Sequence, residues 1–150
     1  MNQLEKFNAL YPVQVGIPVQ WGDMDAFGHV NNAKYFSYFE SARIAYFEKL
    51  GVMGAQSQNN IAPILAETSC RFKLPLYFPD TICVGAKITE KHSHGFMMEY
   101  AVFSKQNQKI TSIGTGRIVM LNYATHEKIR VDSDLLGKIN RIENSVNNPL

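Results

Sequence analysis

Residues Trp21 to Gly51 read WGDMDAFGHVNNAKYFSYFESARIAYFEKLG, and the second half of that stretch limits the fold more than any other feature of the chain. It contains no proline. At about 100° per residue, Tyr35, Phe36, Phe39, Ala42, Tyr46, Phe47 and Leu50 fall on one broad face. Lys34, Ser37, Ser41 and Glu48 form a narrow polar strip opposite, and Tyr38, Ile44 and Ala45 crowd its edges. A helix this apolar has to be wrapped by other structure on most sides. Gly51 suits the C′ position that ends it. Arg43 falls inside the apolar face with Glu40 at its margin, three residues earlier. An i,i+3 ion pair would satisfy both groups. The sharper alternative makes Glu40 a site residue.

The wrapping material follows in the sequence, where the hydrophobic period changes from 3.6 to 2. Ile61 to Leu74, Thr81 to His92, Phe96 to Lys105 and Ile110 to Tyr123 each read as a strand. Leu74-Pro75 through Pro79-Asp80, His94-Gly95 and Gln106 to Lys109 supply turns between them. Val13 to Gln20 alternates ahead of the helix as a fifth strand, with Pro18 marking an edge or irregular position. Residues 1 to 12 read as a short arm closed by Pro12. Residues 52 to 60 form a polar connection, Asp132 to Ile142 a terminal helix, and the chain from about 143 a loose tail. Gly114 and Gly116 sit inside the last strand, where glycine marks the close approach of a backbone or ligand. The expected fold is α+β: one domain over 1–150, an antiparallel meander around one long central helix.

Composition excludes several classes. Hydrophobic residues make up 45% of the 150, enough for a real core. A net charge of +2 gives no footprint for nucleic acid. No apolar run approaches the roughly 20 residues of a membrane span, so no membrane partner is expected. MNQLEKFNALYP lacks the apolar core of a signal peptide, and a cytoplasmic location is expected. Cys70 and Cys83 have no metal-like spacing and are expected as free thiols.

Chemistry concentrates ahead of the helix. Asp23 to Asn32 packs two carboxylates, a glycine, a histidine and two asparagines into ten residues. Unpaired N–H groups at a helix start favour developing negative charge, and a carboxylate just before it could act on an electrophile held there. Asp23 and Asp25 supply too few oxygens for a metal. They could divide labour, one capping backbone N–H groups and one reacting, or both could simply form turns. His29 alone reads as structural. His92 and His94 read as an exposed hairpin, because no third metal ligand lies near. Gly114-Thr115-Gly116 is no phosphate loop, and no Gly-x-Ser-x-Gly elbow occurs. No cofactor or metal is expected.

The run Asp-x-Asp-x-x-Gly-His-Val-x-Asn at Asp23 to Asn32, followed by YFSYFESAR at Tyr35 to Arg43, resembles the hotdog-fold acyl-CoA thioesterases. The type it is most similar to is the 4-hydroxybenzoyl-CoA thioesterase family, with the short acyl-CoA thioesterases of bacteria. Arg71-Phe72 with Pro75, and Asp80-Thr81-Ile82-x-Val84, look like the family's second and third strands. The resemblance implies a hotdog fold and hydrolysis of an acyl-CoA thioester. It places the catalytic carboxylate on Asp25 and the backbone N–H that polarises the carbonyl on Asn32. It puts substrate contacts on Gly28, His29, Val30 and Asn31. Tyr35 and Phe39 are expected to line an acyl slot, with residues 52 to 60 nearby. His29, Asn31 and Asn32 stand where benzoyl-CoA enzymes carry apolar and aromatic residues, so the hydroxybenzoyl substrate is not implied. The rivals are an acyl-ACP thioesterase, a hotdog dehydratase or hydratase using His29, and an acyl-CoA-binding protein without turnover. The resemblance further implies a homodimer or homotetramer with sites between protomers. Unpaired sheet edges and a bare sheet face would favour either.

Overall fold

A computed structural model describes residues 1–53 and 60–146. Residues 54–59, most of the connection expected near an acyl pocket, lie outside the described residues, as do 147–150 at the end of the expected tail. The order of elements is α1 (Gln3–Leu10), β1 (Val13–Pro18), a 3-10 turn (Trp21–Asp23), α2 (Lys34–Leu50), β2 (Ile61–Phe72), β3 (Thr81–His92), β4 (Gly95–Ser104), β5 (Lys109–Asn122) and α3 (Ser133–Glu143). The five strands form one sheet in the order β1-β3-β4-β5-β2, with every neighbouring pair antiparallel. The sheet curls around α2, the arrangement expected of a hotdog fold.

The period-2 stretches became strands because their inward positions meet α2. Ile82, Val84, Ala86 and Ile88 of β3, Met98, Tyr100 and Val102 of β4, and Ile118 and Met120 of β5 are buried with the helix in one core. From the helix come Tyr35, Tyr38, Phe39, Ala42, Tyr46, Phe47 and Leu50. The face is rotated from the one expected. Phe36 remains 37% exposed, whereas Tyr38 is buried, because Tyr38 reaches back to the acidic loop. Gly51 closes the helix in the left-handed conformation, with φ 73°. Arg43 is buried and makes the i,i+3 pair with Glu40 at 3.9 Å; its Nη1 also donates to the Tyr100 hydroxyl at 3.2 Å.

The glycines of β5 mark a close approach, and what approaches is a side chain. A Cβ on Gly114 would lie 2.3 Å from Phe39 Cε2. The absence of a side chain there lets α2 settle onto the sheet.

Three expectations require correction. The N-terminal arm is helical from Gln3 to Leu10, capped by Asn2 Oδ1, which accepts from the Glu5 N–H at 2.8 Å. Its Phe7 and Tyr11 pack with Ala101 and Phe103 on the sheet face turned away from α2. That face is therefore partly covered, not bare. The first hairpin turns at Ser93 and His94, and Gly95 already belongs to β4. Pro18, as expected, ends an edge strand.

Candidate active site

The acidic loop between β1 and α2 is built by its own polar groups. Asp25 Oδ1 accepts from the Phe27 N–H at 2.8 Å, the Asx-turn geometry that short acidic side chains favour. Its carbonyl accepts from Gly28 N–H, and its own N–H donates to the His29 carbonyl at 2.9 Å. Met24 and Val30 pair across the base of this loop. Gly28 lies at φ 86°, a conformation costly for a residue with a Cβ. Val30, buried, donates its N–H to the Leu76 carbonyl at 2.9 Å, which ties the loop to the segment after β2.

The two carboxylates have different surroundings. Asp23 is buried. It accepts from Gln20 N–H at 2.9 Å and from the Tyr38 hydroxyl at 3.1 Å, and pairs with Lys34 Nζ at 3.5 Å. Burial, together with this charge, pushes the Tyr38 phenol up. Asp25 is half-exposed, and its Oδ2 lies 4.0 Å from His29 Nδ1. One carboxylate is thus used in holding the loop to the helix, while the other keeps an oxygen turned toward an imidazole.

The helix start is organised from Asn31. Its Oδ1 accepts from the Ala33 N–H and its carbonyl from the Lys34 N–H, both at 2.9 Å. Its own N–H donates to the Asp23 carbonyl at 2.9 Å. Asn31 is therefore occupied in capping. Among the described residues no acceptor takes the Asn32 N–H, which leaves it available at the positive end of α2.

His29, Val30, Asn32 and Tyr35 line one wall of a cleft of about 200 Å³; Phe72, Lys73, Leu74 and Pro75 line the other. The structure thus brings four of the eight expected site residues to one cavity. Asp25 stands beside it through His29. Gly28 and Asn31 shape the loop. Phe39 is 0% exposed and stacks on Tyr100 at 5.2 Å between ring centroids, inside the core and not among the lining residues. Glu40 lines a separate cleft with Phe36, Ser37, Arg43, Leu65 and Thr68. Among the described residues no group of three or more His, Cys, Asp or Glu side chains is placed to hold a metal, and no helix is long and apolar enough to cross a membrane.

Phe72 to Pro75 were missed as cleft residues. Phe72 meets Tyr35 edge-on, with ring centroids 5.0 Å apart. Their one sequence signal was the Leu74-Pro75 break, which ends β2 where the chain must turn across the acidic loop.

Residues 19–139 match the model of the thioesterase-like superfamily. The chain is 18% identical to the long-chain acyl-CoA thioesterase FadM of Escherichia coli strain K12, over 87% of this chain and 98% of that protein. It is 25% identical to the chloroplastic acyl-acyl carrier protein thioesterase ATL3 of Arabidopsis thaliana, over 83% of this chain and 66% of that protein. Among solved structures, a thioesterase of Thermus thermophilus complexed with coenzyme A and Zn superposes with a TM-score of 0.79 at 26% identity, covering 94% of this chain and 98% of that one. The antiparallel sheet around one helix, the acidic loop at its N-terminus and the match over 19–139 agree, and the chain belongs to the thioesterase-like superfamily, with its hotdog fold and thioester-hydrolysing chemistry.

Proposed function

We propose that the protein hydrolyses an acyl-CoA thioester to the free acid and CoA. The observation that carries this reading is the placing of the half-exposed Asp25 carboxylate next to a cleft that Asn32 lines with an unpaired N–H at the start of α2. In the reaction the thioester carbonyl oxygen accepts from the Asn32 N–H, where the helix dipole favours the oxyanion. Asp25 either takes a proton from water as the water adds to the carbonyl carbon, or adds itself to form an anhydride that water then opens. In both routes the C–S bond breaks and the sulfur leaves as the thiol. His29 lines the cleft, with its Nδ1 3.3 Å from the Val30 carbonyl oxygen and 4.0 Å from Asp25 Oδ2. Gly28, Val30 and Asn31 shape the approach, and Tyr35 with Phe72 flanks the acyl group.

The CoA reading is supported by the Thermus thioesterase, whose structure contains coenzyme A, and by the relation to FadM. The relation to the carrier-protein thioesterase ATL3 supports a second reading, an acyl-ACP substrate. Each protomer's cleft falls below the roughly 300–1,000 Å³ of common small-molecule sites, which favours a site completed by a second protomer. Turnover of an acyl panel, presented on CoA and again on carrier protein, tests both readings. Asp25→Asn should lower kcat by about 10²-fold or more, the scale of a positioned base, with the melting temperature preserved. Near-normal turnover by that variant would remove Asp25 from the mechanism, and binding without turnover by the wild type would make the protein an acyl-CoA binder.

A further inference from the structure

A second cleft of about 200 Å³ lies between α2 and β2, lined by Phe36, Ser37, Glu40 and Arg43 of the helix and by Leu65 and Thr68 of the strand. The steps of hydrolysis leave it unused. The first cleft takes Asn32 and Tyr35 from the helix start and Phe72 from the end of β2. The two clefts therefore follow one another along the same pair of elements, one at the helix start and the other further along it. Phe36, Glu40 and Arg43 recur at spacings of four and three, a single stripe leading away from that start.

Arg43 lines this second cleft and is 7% exposed. A guanidinium carries five N–H donors. Here Nη1 donates to the Tyr100 hydroxyl at 3.2 Å, while Nη2 lies 3.9 Å from Glu40 Oε2, too far for a hydrogen bond. The group also stands over the Tyr100 ring, 5.7 Å from its centroid. Burial raises the Tyr100 phenol against the opposing pull of Arg43, so Tyr100 offers a neutral oxygen and no countercharge. The Glu40 side chain is 63% exposed, and a pair held so loosely in water is weak. A buried cation is costly without a close anion, and the guanidinium fork fits a carboxylate with two hydrogen bonds. Gly116 makes the room for this arrangement. A Cβ there would lie 2.5 Å from the Tyr100 hydroxyl oxygen and 3.2 Å from Leu65 Cδ1.

We propose that the acyl group runs along α2 from the first cleft into the second, and that Arg43 receives a carboxylate at its far end. The inference rests on the thioesterase reading and names the substrate class: the monothioester of a dicarboxylic acid. Helical rise puts Arg43 about 16 Å along the axis from Asn32, and its side chain leans back by about one turn, which leaves about 11 Å. An extended chain advances about 1.2 Å per bond, so an acid of about eight to ten carbons spans the gap. Its carboxylate takes the place of Glu40, whose exposed side chain turns to solvent.

The test compares CoA monothioesters of dicarboxylic acids with methyl-terminated acyl-CoA of matched length, on wild type, Arg43→Gln and Glu40→Gln. Wild type should favour the dicarboxylic series at about eight to ten carbons, the reach of the groove. Arg43→Gln should lower the ratio of kcat/KM, dicarboxylic over methyl-terminated, by about tenfold or more, the value of a charge-assisted hydrogen bond. Glu40→Gln removes a competing carboxylate from an exposed position and should raise the same ratio about twofold or more. It decides the matter where Arg43→Gln does not fold. A wild type that favours methyl-terminated chains at every length overturns the inference and leaves thioester hydrolysis in place. So does a ratio that Arg43→Gln leaves unchanged, or one that Glu40→Gln fails to raise. If Arg43→Gln dissociates the assembly with the ratio unchanged, Arg43 is a contact between copies and not a substrate group. A wild type that hydrolyses neither series overturns the thioesterase reading and this inference with it.

Discussion

At the scale of residues, the loop separates two aspartates that the sequence presents as near equivalents. Asp23 is engaged by Gln20, Tyr38 and Lys34. Asp23→Asn should therefore cost about 1–3 kcal/mol of stability, the scale of a disrupted buried polar network, as read by denaturant unfolding. A wild-type midpoint would show that these bonds add nothing net. The rings divide in a similar way. Phe39 lies wholly in the core against Tyr100, and Phe39→Ala should cost about 3–5 kcal/mol and depress all substrates together. Tyr35 is also buried, but it lines the cleft. Tyr35→Ala should redistribute activity along a chain-length series beyond what its lower melting temperature explains. A uniform loss that tracks the melt would make Tyr35 a packing residue alone. The sequence could not separate these rings, because Tyr35 and Phe39 are one turn apart on the same helical face. Which of them meets a cavity depends on Phe72 and on Gly114, residues brought from distant strands.

At the scale of elements, legibility followed periodicity. The four strands after α2 were readable because alternation and tight turns are local signals. The burial of α2 was readable from its excess of aromatics. Tyr38 was misplaced because its bond to Asp23 is a tertiary contact that overrides the helical wheel. The first helix was missed for a different reason: QLEKFNAL carries only Phe7 as a fully buried residue, too little for a periodic signal. Its packing is nonetheless specific, since Tyr11 Cβ would lie 2.6 Å from a Cβ on Gly85 and its hydroxyl donates to Glu99 at 2.6 Å. Phe7 sits between Tyr11 and Phe103, with centroids 5.2 and 5.6 Å away. Phe7→Ala should therefore cost about 3–5 kcal/mol. A loss under about 1 kcal/mol by chemical denaturation, small for a buried ring, would mean that α1 is a loose appendage.

At the scale of the whole molecule, the sheet has two free edges, and they are unequal. β1 has six residues and ends on Pro18, which cannot donate to a neighbouring strand. β2 has twelve, and most of its positions remain exposed or half-buried. Ile64, Leu65 and Phe72 stand among the exposed large apolar side chains of the chain. A long unprotected edge invites pairing with another strand, and a second copy supplies one by two-fold symmetry. β2 also ends at Phe72, which bounds the cleft, so pairing there would bring the partner next to the candidate site. The protein is therefore expected as a dimer or tetramer at micromolar concentration, measured by light scattering. Leu65→Lys, which sets a charge on this edge strand, should weaken the assembly and lower activity in parallel. A monomeric wild type with full turnover would show that one protomer holds a complete site, and that the exposed side chains of β2 serve some other contact.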